Sequence, residues 1–206
     1  MDSKYRGEDT EVRIGAGNTF FEYTTVHRAS GADNSTVIGD DNFVMAYVHI
    51  AHNCRVGSGC VITNGVQLAG YVELDDRVNI GGLAGVHQFC RIGTLAMVGA
   101  CSYVNKDIPP YVLAAGNPCR VLGLNSVGLR RAGLGESALA VLRRAYRAVY
   151  RDGLNLGQAL HKIENELLPE SAAGSGKEQL EELVRFVRSS ARGVELRSGR
   201  WEMEGS

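Results

Sequence analysis

An aliphatic residue returns at every sixth position across the middle of this chain. Stepping by six from Ile38 meets Val44, Ile50, Val56, Ile62, Leu68, Leu74, Ile80, Val86, Ile92, Val98 and Val104. All twelve are Ile, Leu or Val, types that make up roughly a quarter of average usage, so chance does not explain the run. The following position is often glycine (Gly39, Gly57, Gly81, Gly93, Gly99), and the fifth of each hexad is small or β-branched, as at Val48, Cys54, Cys60, Val66, Ala84, Cys90 and Ser102. Three short strands of about six residues close one triangular coil, and successive coils stack at a strand spacing of ~4.8 Å. The pattern predicts a parallel β-helix over residues 38–109 whose core is a stack of identical steps. Val12 to Val26 reads as one more imperfect coil, with Ile14, Phe20 and Val26 in phase, and the polar residues 28–36 break the phase and read as an ejected loop. The chain starts almost inside a repeat. A solenoid end without a cap exposes strand edges, so the sequence is either shortened there or covered by something.

The period stops near Pro109-Pro110, and residues 110–134 read as an irregular connection. Beyond it the spacing turns helical. Leu139, Leu142, Tyr146 and Val149 mark one helix over 135–151, Leu156, Leu160, Ile163 and Leu167 a second over 155–168 ended by Pro169, and Leu180, Leu183, Val184 and Val187 a third over 177–190. The expected organisation is a β-helix over 1–109, a small helical domain over 135–196 and a disordered tail over 197–206. The first helix is basic (Arg143, Arg144, Arg147, Arg151, with Arg130 and Arg131 before it), which is either a solvated face or a dock for an acidic partner.

A formal net charge of −1 argues against a general nucleic-acid binder. No apolar run of 18 residues occurs and the first residues lack the apolar segment of a signal peptide, so no membrane insertion is expected. Five cysteines, an odd number at irregular spacing, fit a reduced, cytoplasmic protein, and Cys54, Cys60 and Cys90 look like inward-facing fillers rather than metal ligands. Three of the five histidines, His49, His52 and His87, fall in the repeats. His52 and His87 are 35 residues apart, one short of two coils. They should share one side of the prism at ~10 Å separation and line one groove. A prism side has no pocket of its own, so a second copy is expected beside it, with sites between subunits. A metal site needs a closely spaced histidine pair facing one way, and His49 and His52 should face different ways, so no metal or other cofactor is expected.

The runs His49-Ile50-Ala51-His52-Asn53-Cys54, Leu68-Ala69-Gly70 and Gly81-Gly82-Leu83-Ala84-Gly85-Val86-His87-Gln88-Phe89 resemble the UDP-N-acetylglucosamine acyltransferases of lipid A synthesis. Pro109-Pro110-Tyr111-Val112, Gly116-Asn117, Gly123-Leu124-Asn125, Gly128-Leu129-Arg130-Arg131 and Ser189-Ser190-Ala191-Arg192-Gly193 extend the likeness from Lys4 to about Leu196. The resemblance implies a left-handed parallel β-helix followed by the helical domain, a homotrimer, and transfer of a 3-hydroxyacyl chain from acyl carrier protein to the 3-hydroxyl of UDP-N-acetylglucosamine. It makes His52 the general base and gives Gly70 the backbone N–H that holds the oxyanion. It assigns substrate contacts to Asp2, Lys4, His49, His87, Gln88, Asn125 and Arg131, sets the acyl-chain length at Ala100, and turns the basic helix toward the acidic carrier protein. About three of the family's N-terminal coils are missing here. Asn53 stands where many members have aspartate, Tyr71 where histidine is common, and Val127 and Ala132 replace polar residues. These departures leave open an acceptor with a 3-amino group, an acetyl-CoA-dependent sugar acyltransferase, and a non-catalytic homologue.

Overall fold

The computed structural model describes residues 2–171 and 176–196. The expected tail from Arg197 and residues 172–175, in a Ser/Ala/Gly-rich stretch between the second and third expected helices, lie outside them. The hexads form a three-faced solenoid of short parallel strands. The first face stacks Glu11–Ile14, Ser35–Ile38, Arg55–Val56, Glu73–Leu74 and Arg91–Ile92. The second stacks Thr19–Phe20, Phe43–Val44, Val61–Ile62, Asn79–Ile80 and Met97–Val98. The third stacks Thr25–Val26, His49–Ile50, Gln67–Leu68, Gly85–Val86 and Tyr103–Val104. Each of the twelve aliphatic steps is buried, as are the small residues at the fifth positions, so both sets fill the axis together. Ile38 pairs with Val56, Val56 with Leu74 and Leu74 with Ile92, a step of eighteen residues, or one coil.

The first coil pairs at a step of 24 instead, Ile14 with Ile38 and Val26 with Ile50. The six extra residues leave the helix between Val26 and Ser35. Ser35 and Thr36, expected in the ejected loop, belong instead to a strand. Thr36 is buried, and its hydroxyl accepts the backbone N–H of Asn53 at 2.9 Å, which is why a polar residue is tolerated there. At the corners one residue per hexad adopts positive φ, among them Asp41, Tyr47, Asn53, Tyr71, Arg77, Leu83, Phe89, Leu95 and Cys101, with glycine at Gly17, Gly59 and Gly65. A tight corner demands the left-handed conformation. Side chains there carry a cost of about 1–2 kcal/mol each, which axial packing offsets.

Residues 110–134 are not irregular. Val112–Ala115 adds to the second face beside Met97–Val98 and turns back through antiparallel Arg120–Leu124. A short helix, α1 (Ser126–Arg131), follows. Their signals are brief, and Gly116-Asn117-Pro118 masks the hairpin as a loop. Then come α2 (Glu136–Tyr150), α3 (Leu156–Lys162), a π-helical turn at Ile163–Leu167, α4 (Leu168–Glu170) and α5 (Lys177–Arg188). Asn155 and Gln158 form a reciprocal capping box on α3. Pro169 does not end the helical run: it sits in the first turn of α4, where its missing N–H is tolerated. Leu139, Leu142, Leu160, Ile163, Leu167 and Leu180 form the helical core. The basic face of α2 is largely matched within the chain: Arg143 lies 3.6 Å from Glu136, Arg144 2.8 Å from Glu170, and Arg147 3.9 Å from Asp152. That favours a solvated ion-pair network over a bare cationic dock.

If the axial column is the source of stability, Ile80→Ala lowers the unfolding free energy by about 2–5 kcal/mol in urea titration. Arg77→Gly, at an exposed corner with φ +58°, does not lower it.

Candidate active site

Corner positions repeat every eighteen residues, so His52, Gly70 and Gln88 stack at one corner, between the third and first faces. The His52 ring lies directly over Gly70. A Cβ at Gly70 would come within 2.5 Å of His52 Cε1 and 2.7 Å of Nε2, so only glycine fits beneath the imidazole. Among the described residues no acceptor takes the Gly70 N–H, while the Gly70 carbonyl accepts from Phe89 N at 3.2 Å.

The orientation of His52 is fixed from its other side. Asn53 Oδ1 accepts the Ser30 backbone N–H at 3.0 Å while Asn53 Nδ2 donates to the Ser30 carbonyl at 3.0 Å. This pair pins the amide, so the atom 3.0 Å from His52 Nδ1 is an oxygen acceptor. Nδ1 therefore carries the proton and Nε2, over Gly70, keeps its lone pair. The amide thus does the orienting expected of the family's aspartate. A carboxylate is still close: Asp2 Oδ2 lies 3.9 Å from His52 Nδ1 and accepts the Ser30 hydroxyl at 2.6 Å. The Ser30 hydroxyl, then the Lys4 backbone N–H, hold the Asp2 carboxyl below its usual range. Ser30 itself is buried. It comes from the ejected loop, which no repeat pattern points to.

Beside this corner a groove of about 530 Å³ runs along the third face, lined by His49, Gln67, Gly70, Gly85, His87, Gln88 and Tyr103 among others. Gly85 leaves room between the side chains of Gln67 and Tyr103, its strand neighbours. The groove brings together His49, Gly70, His87 and Gln88, whereas His52, expected to line it beside His87, is not among its lining residues. His52 stands at its edge, over Gly70. His49 Nδ1 is 2.8 Å from Thr25 Oγ1, and its ring meets His27 edge-on at 4.5 Å. Burial first, and His27 second, push the His49 imidazole below its usual pKa, which favours the neutral form. Gln67 and Tyr103 were missed in the sequence, although a step of eighteen from His49 reaches both.

Three expected site residues lie elsewhere. Asn125 caps α1, accepting from Gly128 N at 3.1 Å, and donates to the Leu95 carbonyl at 2.9 Å. Leu95 is a corner residue between the first and second faces, away from the groove, and Arg131, in the last turn of α1, is exposed. Ala100 is exposed near the corner between the second and third faces. The same corner exposes three large side chains: Tyr23, Tyr47 and Leu83 are 71%, 61% and 71% exposed, and Tyr23 stacks on Tyr47 at 4.9 Å.

Residues 35–70 match the bacterial transferase hexapeptide family, and residues 107–195 match domain 2 of UDP-N-acetylglucosamine O-acyltransferase. The acyl-[acyl-carrier-protein]–UDP-N-acetylglucosamine O-acyltransferase of Burkholderia orbicola is 46% identical over 195 residues, which are 94% of this chain and 73% of that protein. The solved UDP-N-acetylglucosamine O-acyltransferase of Moraxella catarrhalis superposes with a TM-score of 0.87 at 39% identity, covering 95% of this chain and 74% of that one. The Arabidopsis UDP-N-acetylglucosamine acyltransferase gives 0.87 at 34% identity, with 94% and 68% covered. A shared solenoid, a shared second domain and this level of identity place the chain in the UDP-N-acetylglucosamine O-acyltransferase family.

Proposed function

We propose that this chain transfers a 3-hydroxyacyl group from acyl carrier protein to the 3-hydroxyl of UDP-N-acetylglucosamine, the opening step of lipid A synthesis. The matched relatives are named for O-acyl transfer between acyl-[acyl-carrier-protein] and UDP-N-acetylglucosamine. The observation that carries the reading is His52 Nε2 lying over Gly70 with Nδ1–H held by Asn53. A sugar hydroxyl is a weak nucleophile at neutral pH. Nε2 takes its proton as the oxygen attacks the thioester carbonyl. The tetrahedral oxyanion is held by the Gly70 N–H, whose missing side chain lets the reacting carbon approach. Collapse breaks the carbon–sulfur bond, and the departing thiolate takes the proton back from His52. While the imidazole is cationic, the Asp2 carboxylate near Nδ1 stabilises it. His49, His87 and Gln88 contact substrate in the groove, and Asp2 and Lys4 the sugar.

The working unit in this reading is a homotrimer. Asn125 and Arg131 sit across the prism from the groove. For them to meet a nucleotide bound at His52, a neighbouring copy must present its own pair. A guanidinium suits the diphosphate. The exposed Tyr23, Tyr47 and Leu83 corner offers such a copy an apolar contact. Ala100 bounds the acyl groove.

The test is mass-spectrometric detection of acylated UDP-N-acetylglucosamine across a ladder of 3-hydroxyacyl carrier proteins. An intermediate chain is expected to be preferred, and Ala100→Gly to shift the preference to longer chains. Acetyl-CoA as the better donor would overturn the reading. Gly70→Ala forces the His52 ring off its seat, so turnover is expected to fall by about 10²–10³, with oligomeric state by light scattering unchanged. Asn53→Asp keeps an acceptor on Nδ1 and strengthens it. Acyltransfer is therefore expected to persist in that variant.

A further inference from the structure

A segment near the end of the described chain reaches His87, one of the groove residues. Ser190 to Glu195 is stitched to Asp107, which is buried. Asp107 N donates to the Gly193 carbonyl at 3.1 Å, Glu195 N to the Asp107 carbonyl at 2.8 Å, and the Ser190 hydroxyl to Asp107 Oδ2 at 2.6 Å. The other carboxylate oxygen of Asp107 accepts Arg91 N at 2.8 Å. This clasp presents Arg192. Its Nε donates to the Asn105 carbonyl at 2.9 Å, and its Nη2 lies 2.9 Å from His87 Nδ1.

A guanidinium has donors only, so in that contact His87 Nδ1 must be the acceptor. The second polar neighbour of Nδ1 is the Gln88 carbonyl oxygen at 3.1 Å, which asks for the opposite tautomer. The two partners compete for one nitrogen, and their demands on Nε2 are opposite. With Arg192 present, Nδ1 is a lone pair and Nε2 carries the hydrogen. Without it, Nδ1–H turns to the Gln88 carbonyl and Nε2 becomes an acceptor.

We propose that Arg192 is a positioning residue that holds His87 as an Nε2–H donor directed at a substrate oxygen in the groove. The substrate part rests on the acyltransfer reading above; the tautomer does not. It also gives His87 the opposite polarity to His52 at the groove's edge: His52 offers a lone pair at Nε2, and His87 offers a hydrogen. A base and a hydrogen-bond donor on one groove suit a step in which one oxygen loses a proton and another is held in place.

The test reads the tautomer first, in the substrate-free protein, by imidazole ¹⁵N and ¹³C chemical shifts, with His87 assigned by the signal lost in His87→Gln. The wild type should show the Nε2–H form. Arg192→Ala should move the population to Nδ1–H, and kcat/KM for transfer from acyl carrier protein to UDP-N-acetylglucosamine should fall at least about tenfold, the scale of one lost substrate hydrogen bond. Ser190→Ala loosens the clasp but leaves the guanidinium. It should lower the melting temperature while keeping the Nε2–H form and most of the rate. An Nδ1–H form in the wild type, an unchanged tautomer in Arg192→Ala, or the same tautomer change in Ser190→Ala would each overturn the proposal. Loss of all turnover in the wild type with the tautomer result intact would count against the acyltransfer reading alone.

Discussion

The structure depends on one constraint: every eighteenth residue must fall on the same vertical line. Buried Ile, Leu and Val at the sixth positions enforce it, since a slip of one residue would turn the aliphatic set outward and bring polar neighbours to the axis. The constraint is strict along the axis and permissive at the corners. That is why six residues can leave between Val26 and Ser35 without spoiling the stacking of Ile14 on Ile38. The same departure brings Ser30 against Asn53, so the loop the repeat ejects is the one that orients His52.

The site follows from the same register. His52, Gly70 and Gln88 are one coil apart in turn, so an imidazole, a bare backbone N–H and an amide stack without any further folding device. Gly70 and Gly85 are the two glycines that line the groove. One makes space for the imidazole and the other for the groove. A rigid solenoid fixes such a constellation more tightly than loops would, because every supporting strand is bonded above and below.

The repeat made the three-sided prism legible from sequence, because one residue type at one period is a strong signal. The helices α2, α3 and α5 were legible for the same reason. What was not legible rests on short or non-periodic contacts. Tyr47, Leu83 and Phe89 take left-handed corners that glycine alone would have advertised. Val112–Ala115 and α1 are too brief to show a period. The π turn lets the chain run past Pro169. At the site, His52, Gly70, His49, His87 and Gln88 were reached from position and resemblance. Ser30 and Arg192 were not, because each acts across a large sequence separation through a single hydrogen-bonded group. The basic face of α2 shows the converse: a charge run that looked like a dock is matched by Glu136, Glu170 and Asp152.

The central claim is that His52 of one copy works with Arg131 of its neighbour. It is tested most directly by mixing two inactive variants, His52→Ala and Arg131→Ala, by co-unfolding and refolding, and measuring acyltransfer. In randomly mixed trimers about a quarter of the sites combine an intact His52 with an intact neighbouring Arg131, so about a quarter of wild-type activity should return. Mixed oligomers that form but stay as inactive as either variant alone would contradict the account.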